Sequence, residues 1–195
     1  MIELTKEQRI LNLLLRDFLT EYNSRSISSK VGLSHVGAFK ILKKLEQKEI
    51  VKSKLVGRAR IYSLNLENPL TLMELETILT IEALQHKRWI EEFKQLEGKV
   101  KFVVLFGSIL RNEQSGRDID LLVVADKGNY KFVRKIIDER NRVLNKPIQL
   151  IFQTPDNFKF DLKRKYKVSI EIIKTGVVLI GQGEFRRMLA ENESR

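Results

Sequence analysis

Apolar residues recur at helical spacing through the first part of the chain. Between residues 5 and 21 they stand three or four positions apart, which predicts a helix with one buried face. A short helix is predicted at residues 26–31, with Ser26 as its N-cap. Gly32 then supplies the positive φ of a tight turn, and a longer helix is predicted at residues 35–48.

The residues that follow predict a β-hairpin. Two β-like runs, residues 50–55 and 60–64, are joined by a turn at Gly57, and Arg58 with Arg60 places positive charge at its tip. Helix, short helix, turn, helix and basic hairpin, in this order, resemble a winged helix-turn-helix domain. The resemblance covers about the first third of the chain and implies binding to double-stranded DNA.

The same resemblance assigns the DNA contacts. The exposed start of the third helix would face base edges in the major groove, while further cations would neutralise phosphates. The residues that would face bases are His35, Val36, Gly37 and Lys40. The residues that would contact phosphates are Lys43, Lys44, Arg58 and Arg60. In the alternative interpretation these side chains only solvate the helix, and the winged fold makes protein contacts.

A long helix is predicted to connect two parts of the chain. Thr71 and Glu74 form a capping box, and the helix that they open is predicted to run to about Leu96. A helix of this length links domains or pairs with its copy in a homodimer, and a dimer would match two-fold operators. His86, on its apolar stripe, is interpreted as a packed or hydrogen-bonded histidine and not as a ligand.

The pattern then changes from helical stripes to buried strands. An apolar run at residues 100–106 predicts one strand, and residues 118–124 predict a second one after a polar loop at residues 112–117. Period-two geometry puts Asp118 and Asp120 on one face of the second strand. Two carboxylates this close repel each other, and a divalent metal is the plain candidate to compensate them.

A spaced signature lies on these two strands. Gly107-Ser108 ends the first strand, and Asp118 and Asp120 open the second. The combination resembles the DNA polymerase β-type nucleotidyltransferase superfamily, and within it the small minimal nucleotidyltransferases of archaea and bacteria. The resemblance covers about residues 98–183 and implies a mixed sheet flanked by helices.

The resemblance also implies roles for single residues. Gly107, Ser108 and Arg111 would bind the phosphates of a nucleoside triphosphate such as ATP. Asp118 and Asp120 would be catalytic and would ligate Mg²⁺, with room for two ions. In the alternative interpretation Gly107-Ser108 is an ordinary turn and Asp118 pairs with a neighbouring base such as Arg117.

The third carboxylate of the superfamily is missing from its expected strand. A helix at residues 130–144 is followed by a strand at residues 147–152, whose alternation puts Gln149 at the carboxylate position. Glutamine is not a general base, so the acceptor chemistry is in question while the metal and nucleotide site is retained. Other acids that would substitute for it are Asp126, Asp156 and Asp161.

Two features near the end of the chain carry weaker signals. Five cations fall within nine positions: Lys159, Lys163, Arg164, Lys165 and Lys167. They would either hold a polyanionic acceptor such as nucleic acid or form a solvated helix face. The residues from Met188 onward are mostly polar and predict a frayed end.

Composition narrows the classes of function. Cys is 0, which excludes disulfides and thiolate metal sites, and the 2 His residues are too far apart for a zinc cluster. The longest apolar runs are far short of the roughly 20 residues that span a bilayer, so a cytoplasmic protein without a membrane partner is expected. With 36 Lys+Arg against 25 Asp+Glu, the net charge of +11 favours polyanionic partners.

Charge is distributed in three blocks. Residues 1–67 hold 13 basic and 7 acidic side chains (+6), residues 68–97 hold 3 and 6 (−3), and residues 98–195 hold 20 and 12 (+8). These limits are the candidate domain boundaries. Together with the two resemblances they imply an α+β chain with a winged helix-turn-helix domain at residues 1–67, a connecting helix at residues 68–97 and a nucleotidyltransferase-like domain at residues 98–195.

Three functions are consistent with the sequence. The first is a DNA-associated enzyme that transfers a nucleoside monophosphate from a nucleoside triphosphate to a hydroxyl group with Mg²⁺. The second is a transcriptional regulator whose weak or inactive transferase domain senses nucleotide. The third, which the resemblance permits without a residue that argues for it, is the antitoxin-like half of a two-protein system.

Overall fold

The chain begins with a mostly helical unit, which is followed by a unit built on a mixed β-sheet. The computed structural model describes residues 3–111 and 116–193. The chain divides into two compact units, Met1–Ile81 and Glu82–Arg195. The division falls within a helix, and it differs from the domain limits that the charge distribution suggests.

The first unit has the element order of a winged helix. Its elements are α1 (Lys6–Arg16), β1 (Tyr22–Asn23), α2 (Ser24–Val31), α3 (His35–Gln47), β2 (Val51–Val56), β3 (Ala59–Leu64) and α4 (Pro69–Leu84), the last of which extends into the second unit. The three strands form an antiparallel sheet in the order β1-β3-β2. The predicted hairpin is therefore confirmed, with Gly57 at φ +60° in its turn.

Side-chain caps decide where the first helices begin and end. The first helix ends at Arg16 and not at residue 21, because Asp17 leaves the helical region and its carboxylate accepts a 2.6 Å hydrogen bond from the Tyr22 hydroxyl. The predicted cap at Ser26 is also wrong. Asn23 caps α2 by accepting a hydrogen bond from the Ser26 amide, and the Ser26 hydroxyl, inside the helix, accepts one from the Asn23 amide.

The predicted long connecting helix is two helices. Asn68, and not Thr71, accepts the amide hydrogen bond of the first turn of α4, while Thr71 is buried and donates its hydroxyl hydrogen to the Ile50 carbonyl. The helix ends at Leu84, and α5 begins only at Lys87. His86, at φ −116° and ψ 38°, lies outside both helices.

The second unit is a four-stranded mixed sheet covered by helices. After α5 (Lys87–Phe93), its elements are β4 (Phe102–Phe106), α6 (Ser108–Arg111), β5 (Ile119–Val124), α7 (Tyr130–Asn141), β6 (Ile148–Gln153), α8 (Pro155–Lys163), α9 (Lys167–Thr175), β7 (Val177–Ile180) and α10 (Gln182–Glu193). The strand order is β6-β5-β4-β7. β5 runs parallel to β6, whereas β4 is antiparallel to both β5 and β7.

Each face of this sheet packs against its own helices. Alternate residues of β4 and β5 join Trp89, Phe93 and Ile137 in one continuous core under α5 and α7. On the opposite face, Phe102 contacts Phe158 and Phe185, at 5.1 and 5.3 Å between ring centroids. The resulting architecture is the α+β class that the sequence predicts.

The end of the chain is helical and packed through the last residues that the structure describes. Within α10, Phe185, Met188 and Leu189 are buried, so the prediction of a frayed end from Met188 is wrong for the described residues. Across residues 3–111 and 116–193, no helix is long and apolar enough to cross a membrane.

Candidate functional site

Three strand ends bring the candidate catalytic residues together. Asp118 directly precedes β5 and Asp120 is its second residue, so the two carboxylates leave the same face of the strand. In the sheet register Asp120 lies opposite Phe106, the last residue of β4, and beside Gln149 of β6. The predicted neighbours therefore lie at one end of the sheet.

Gly107 is required at this site for two physical reasons. Its φ is +81°, in the left-handed region that favours glycine. A Cβ at this position would also overlap Oδ2 of Asp120 and stand only 3.0 Å from its Cγ. The backbone after β4 thus lies directly against the Asp120 carboxylate, which any side chain at residue 107 would displace.

The electrostatics of the pair favour a cation. Burial, and then the neighbouring charge of Asp118, raises the pKa of the Asp120 carboxyl above its ordinary value. Asp118 accepts a hydrogen bond from the Gln149 side-chain amide. The two carboxylates repel each other, and a cation between them would relieve that repulsion.

These two oxygen ligands fit a divalent cation that also binds a substrate. Mg²⁺ is usually held by one or two carboxylates, while substrate phosphates and water complete its shell. Within the described residues, no group of three or more His, Cys, Asp or Glu side chains is placed to hold a metal ion. The protein would therefore supply Asp118 and Asp120, and the remaining ligands would come from the nucleotide.

Two of the three predicted phosphate-binding residues belong to one short helix, and the third, Gly107, directly precedes it. Ser108 begins α6 and Arg111 ends it, with the Arg111 side chain exposed to solvent. Part of the predicted polar loop, residues 112–115, lies outside the described residues. Ser108 directly follows Gly107, and among the described residues no hydrogen bond or ion pair joins Arg111 to the two carboxylates.

Gly116 is a supporting residue to which the sequence assigned no role. It is buried, and a Cβ there would stand 3.0 Å from the Ile109 Cα in the middle of α6. Its carbonyl accepts a hydrogen bond from the Lys146 ammonium group. Gly116 therefore lets the chain before β5 pass close to α6. In the sequence, the position of this glycine two residues before Asp118 was the one feature that could have indicated its role.

None of the alternative acids takes the place of the missing carboxylate. Because β5 and β6 are parallel, Asp126, after β5, lies toward the opposite end of the sheet from Gln149. Asp156 and Asp161 follow the last residue of β6, and Asp161 is already bonded by Gln153, at 2.7 Å. Gln153 lies four positions after Gln149 along β6, which is a distance of about 13 Å.

The first unit presents a second candidate site along α3. Val36 is 62% exposed, and His35 lies 3.2 Å from the Ser24 hydroxyl through its Nε2. The Gly37 amide donates to the Ser34 hydroxyl, which caps the helix. Phe39 is 47% exposed on the same helix. The winged-helix resemblance gave it no role in DNA binding, although a large apolar residue among the polar positions of a helix can indicate a contact surface.

The cations of this surface fall into two groups. Lys44 lies 2.7 Å from Glu7, and Arg60 lies 3.4 Å from Glu46, so both have acidic partners within the unit. Lys40, Lys43 and Arg58 are exposed, and in the described part of the chain no ion pair engages them. The residues predicted to contact bases and phosphates thus share a solvent-facing helix and hairpin, and differ in how much of their charge is already compensated.

Comparisons with known proteins agree with the geometry of the second unit. Residues 86–177 match the family model described as a nucleotidyltransferase domain. A search of curated proteins gave no match.

Solved structures give weaker likenesses. A protein of Archaeoglobus fulgidus is 27% identical, over 39% of this chain and 86% of its own, with a TM-score of 0.34. MepR, a transcription regulator of the Staphylococcus aureus multidrug efflux pump MepA, is 16% identical over 57% and 72%, with a TM-score of 0.39. Lactococcus lactis ZitR is 20% identical over 71% and 76%, with a TM-score of 0.32. These TM-scores are too low to support a functional argument. The family match is the comparison that bears on function, and over residues 86–177 this chain is similar to nucleotidyltransferase domains.

Proposed function

We propose that this chain is a Mg²⁺-dependent nucleotidyltransferase that transfers a nucleoside monophosphate from a nucleoside triphosphate to a hydroxyl group. The observation that carries the proposal is the junction of β4 and β5, where Gly107 lies against Asp120 and Asp118 stands two residues away. The family match over the same residues supports a nucleotidyl-transfer function in general.

The proposed reaction is an in-line displacement at the α-phosphorus of the triphosphate. The acceptor oxygen forms a bond to that phosphorus while the bond to the bridging oxygen breaks, and pyrophosphate leaves. The acceptor proton passes to solvent, because Gln149 has no basic group to receive it. A divalent cation, when bound, supplies positive charge that stabilises the transferring group and the leaving pyrophosphate.

The chain's own residues position the substrate in this proposal. Asp118 and Asp120 hold the cation, and the amides at Gly107 and Ser108 with the serine hydroxyl donate to phosphate oxygens. Arg111 supplies a fixed positive charge toward the phosphates. These roles are the ones that the sequence resemblance implies.

We further propose that the first unit binds double-stranded DNA through α3 and the β2–β3 hairpin, in the cytoplasm. The exposed start of α3, with Val36 and Lys40, has the dimensions and the polarity to enter a major groove. Arg58 at the hairpin turn would contact phosphate. A homodimer is part of this proposal, with Leu70 and Met73 of α4, 54% and 64% exposed, as its contact.

Calorimetric titration tests the nucleotide site. Each nucleoside triphosphate is titrated into the full chain with Mg²⁺ and again with a chelator, beside a variant carrying Asp118→Asn and Asp120→Asn. We expect binding that requires the metal and is lost in the variant. A radiolabelled transfer assay with cell extract as the source of acceptor follows, and metal-independent binding or no binding at all would overturn the proposal.

One observation favours a second function, a DNA-binding regulator that senses nucleotide. Gln149 occupies the register position beside Asp120 and donates to Asp118, so a neutral amide replaces the expected base. This function predicts duplex affinity that changes when a nucleoside triphosphate saturates the second unit, with no transfer to any acceptor. Duplex binding that is identical with and without nucleotide would exclude it.

A further inference from the structure

The segment that joins α8 to α9 carries a concentrated positive charge. Residues 160–168, which we term the α8–α9 elbow, hold four cations, and all are exposed: Lys163, Arg164, Lys165 and Lys167. No ion pair in the described part of the chain engages any of the four. The elbow's one acid, Asp161, accepts hydrogen bonds from Gln153 and Ser169 and is half-buried. The elbow is therefore a cationic surface on which no acidic side chain of the elbow neutralises the four positive charges.

Aromatic side chains lie among these cations. Phe160 and Tyr166 are 53% and 54% exposed, although large aromatic rings usually lie inside a protein. The Arg164 guanidinium carbon stands 4.8 Å from the centre of the Phe160 ring. Arg164 is the C-cap residue of α8 and lies four positions after Phe160, the spacing that brings two side chains together on one side of a helix.

The backbone holds the elbow in a defined shape. The Tyr166 amide donates to the Asp161 carbonyl at 3.0 Å, and the Lys165 amide donates to the Leu162 carbonyl at 3.0 Å. Lys165 has a φ of +51°, which is uncommon for a residue with a side chain. The two helices therefore follow each other with a short, hydrogen-bonded turn, which fixes the backbone positions from which the cations and rings project.

We propose that the α8–α9 elbow binds single-stranded nucleic acid. Exposed rings on which unpaired bases stack, interleaved with cations that follow the phosphates, are the combination that single strands require. A duplex would satisfy the cations but leave the rings unused, because its bases are stacked on one another. An anionic membrane is disfavoured because the apolar side of α8, with Phe158 and Leu162, is buried in the core. The exposed apolar side chains of the elbow are Phe160, Tyr166 and Val168, which lie in one short turn region and do not form the continuous apolar helix face that inserts into a membrane surface.

This surface is separate from the candidate catalytic residues. Asp161 and Gln153 tie the elbow to the end of β6 that lies opposite Gln149. The inference goes beyond the proposed function, and a binding measurement tests it whether or not the chain transfers nucleotides.

Fluorescence anisotropy with the full chain tests the elbow. The probes are labelled oligouridine RNA, oligothymidine DNA and a duplex of equal length, and the main variant carries Phe160→Ala with Tyr166→Ala. We expect this variant to bind both single strands at least about tenfold more weakly and the duplex unchanged. Phe160→Tyr with Tyr166→Phe should retain binding, since rings remain, and comparison of the RNA and DNA probes shows which strand is preferred.

A charge variant with a matched control completes the test. Lys163→Gln with Lys167→Gln should lower the slope of log affinity against log salt by about 1.4 for single strands. Lys127→Gln with Lys131→Gln removes the same charge from exposed positions of the second unit and should leave the slope nearly unchanged. Equal losses in both variants, an aromatic variant that binds single strands normally, or elbow-dependent binding to phosphatidylserine vesicles alone would overturn the proposal.

Discussion

Replacing Gly107 with alanine should damage the second unit through a collision with a single side chain. The new Cβ would overlap Oδ2 of Asp120 and stand 3.0 Å from its Cγ. The substitution also puts a side chain on a backbone with φ +81°. Both effects act at the junction that carries the proposed function.

The magnitude follows from these two parts. A residue with a Cβ in the left-handed region costs about 1–2 kcal/mol. Turning Asp120 away from its rotamer adds about 0.5–1.5 kcal/mol. We therefore expect Gly107→Ala to lower the free energy of unfolding of the second unit by about 1.5–3.5 kcal/mol and to abolish metal-dependent nucleotide binding.

The chain offers a matched control that separates the two parts. Gly98 has a φ of +72°, and a Cβ there meets nothing within 4 Å, so Gly98→Ala should cost only the backbone part. The overlap with the carboxylate should disappear in an Asp120→Ala background, where a 3.3 Å contact with the Cβ of residue 120 remains. The cost of Gly107→Ala should therefore fall most of the way to that of Gly98→Ala. A double-mutant cycle of this kind measures the approach of Gly107 to Asp120 directly.

Urea unfolding followed by tryptophan fluorescence is the assay. The chain has 1 Trp, Trp89, which is 4% exposed in the core of the second unit, so its signal reports on that unit. The approach of the backbone to Asp120 would be refuted if Gly107→Ala cost no more than Gly98→Ala. It would also be refuted if the cost were the same with and without the Asp120 side chain.

Three further predictions concern other parts of the chain. Gln149→Asp should raise the rate of nucleotidyl transfer by about a hundredfold or more, because a general base contributes about 10²–10⁴-fold; a transfer assay with no gain would contradict the assigned position. Burial and the Asp17 carboxylate raise the pKa of Tyr22 to about 12 from 10.0. The hydrogen bond of the Tyr22 hydroxyl should therefore stabilise the fold by about 1.5–3 kcal/mol relative to Tyr22→Phe below pH 10, and this difference should be lost as the pH rises through 12. Unfolding experiments on both proteins across this pH range measure the difference, and a difference that does not change with pH would contradict the prediction. Lys40→Gln should weaken duplex binding more than Lys44→Gln, because Lys44 already pairs with Glu7; equal losses in anisotropy titrations would contradict this.

The sequence predicted the second unit best where strand periodicity and chemistry agree. Alternation put Asp118 and Asp120 on one face and Gln149 in the neighbouring strand, and the register confirms that Gln149 lies beside Asp120. For Gly107 the sequence alone predicted a turn after the strand, but not that the residue has to be glycine. Its approach to Asp120 depends on the antiparallel pairing of β4 with β5, which no local pattern encodes.

Helix ends were the least predictable parts of the fold. The apolar stripe continues across His86, so nothing in the spacing marks the break between α4 and α5. Thr71 has the right neighbours for a capping box, but tertiary structure buries it and gives its hydroxyl to Ile50. In α10, Phe185 and Met188 have helical spacing, yet the many polar residues around them hid the signal.

Gln149 connects the fold to the acceptor side of the proposed reaction. Its amide donates a hydrogen bond to Asp118, one of the two carboxylates that we propose to hold a cation, so it leaves both of those carboxylates in place. It offers no base to the acceptor, and the acids at the ends of β5 and β6 lie too far away to replace it. Transfer without a base depends on how readily the acceptor itself gives up its proton, and an acceptor of low pKa therefore suits this site better than an ordinary alcohol. The same residue thus argues for nucleotide binding and narrows the acceptors that the site is able to serve.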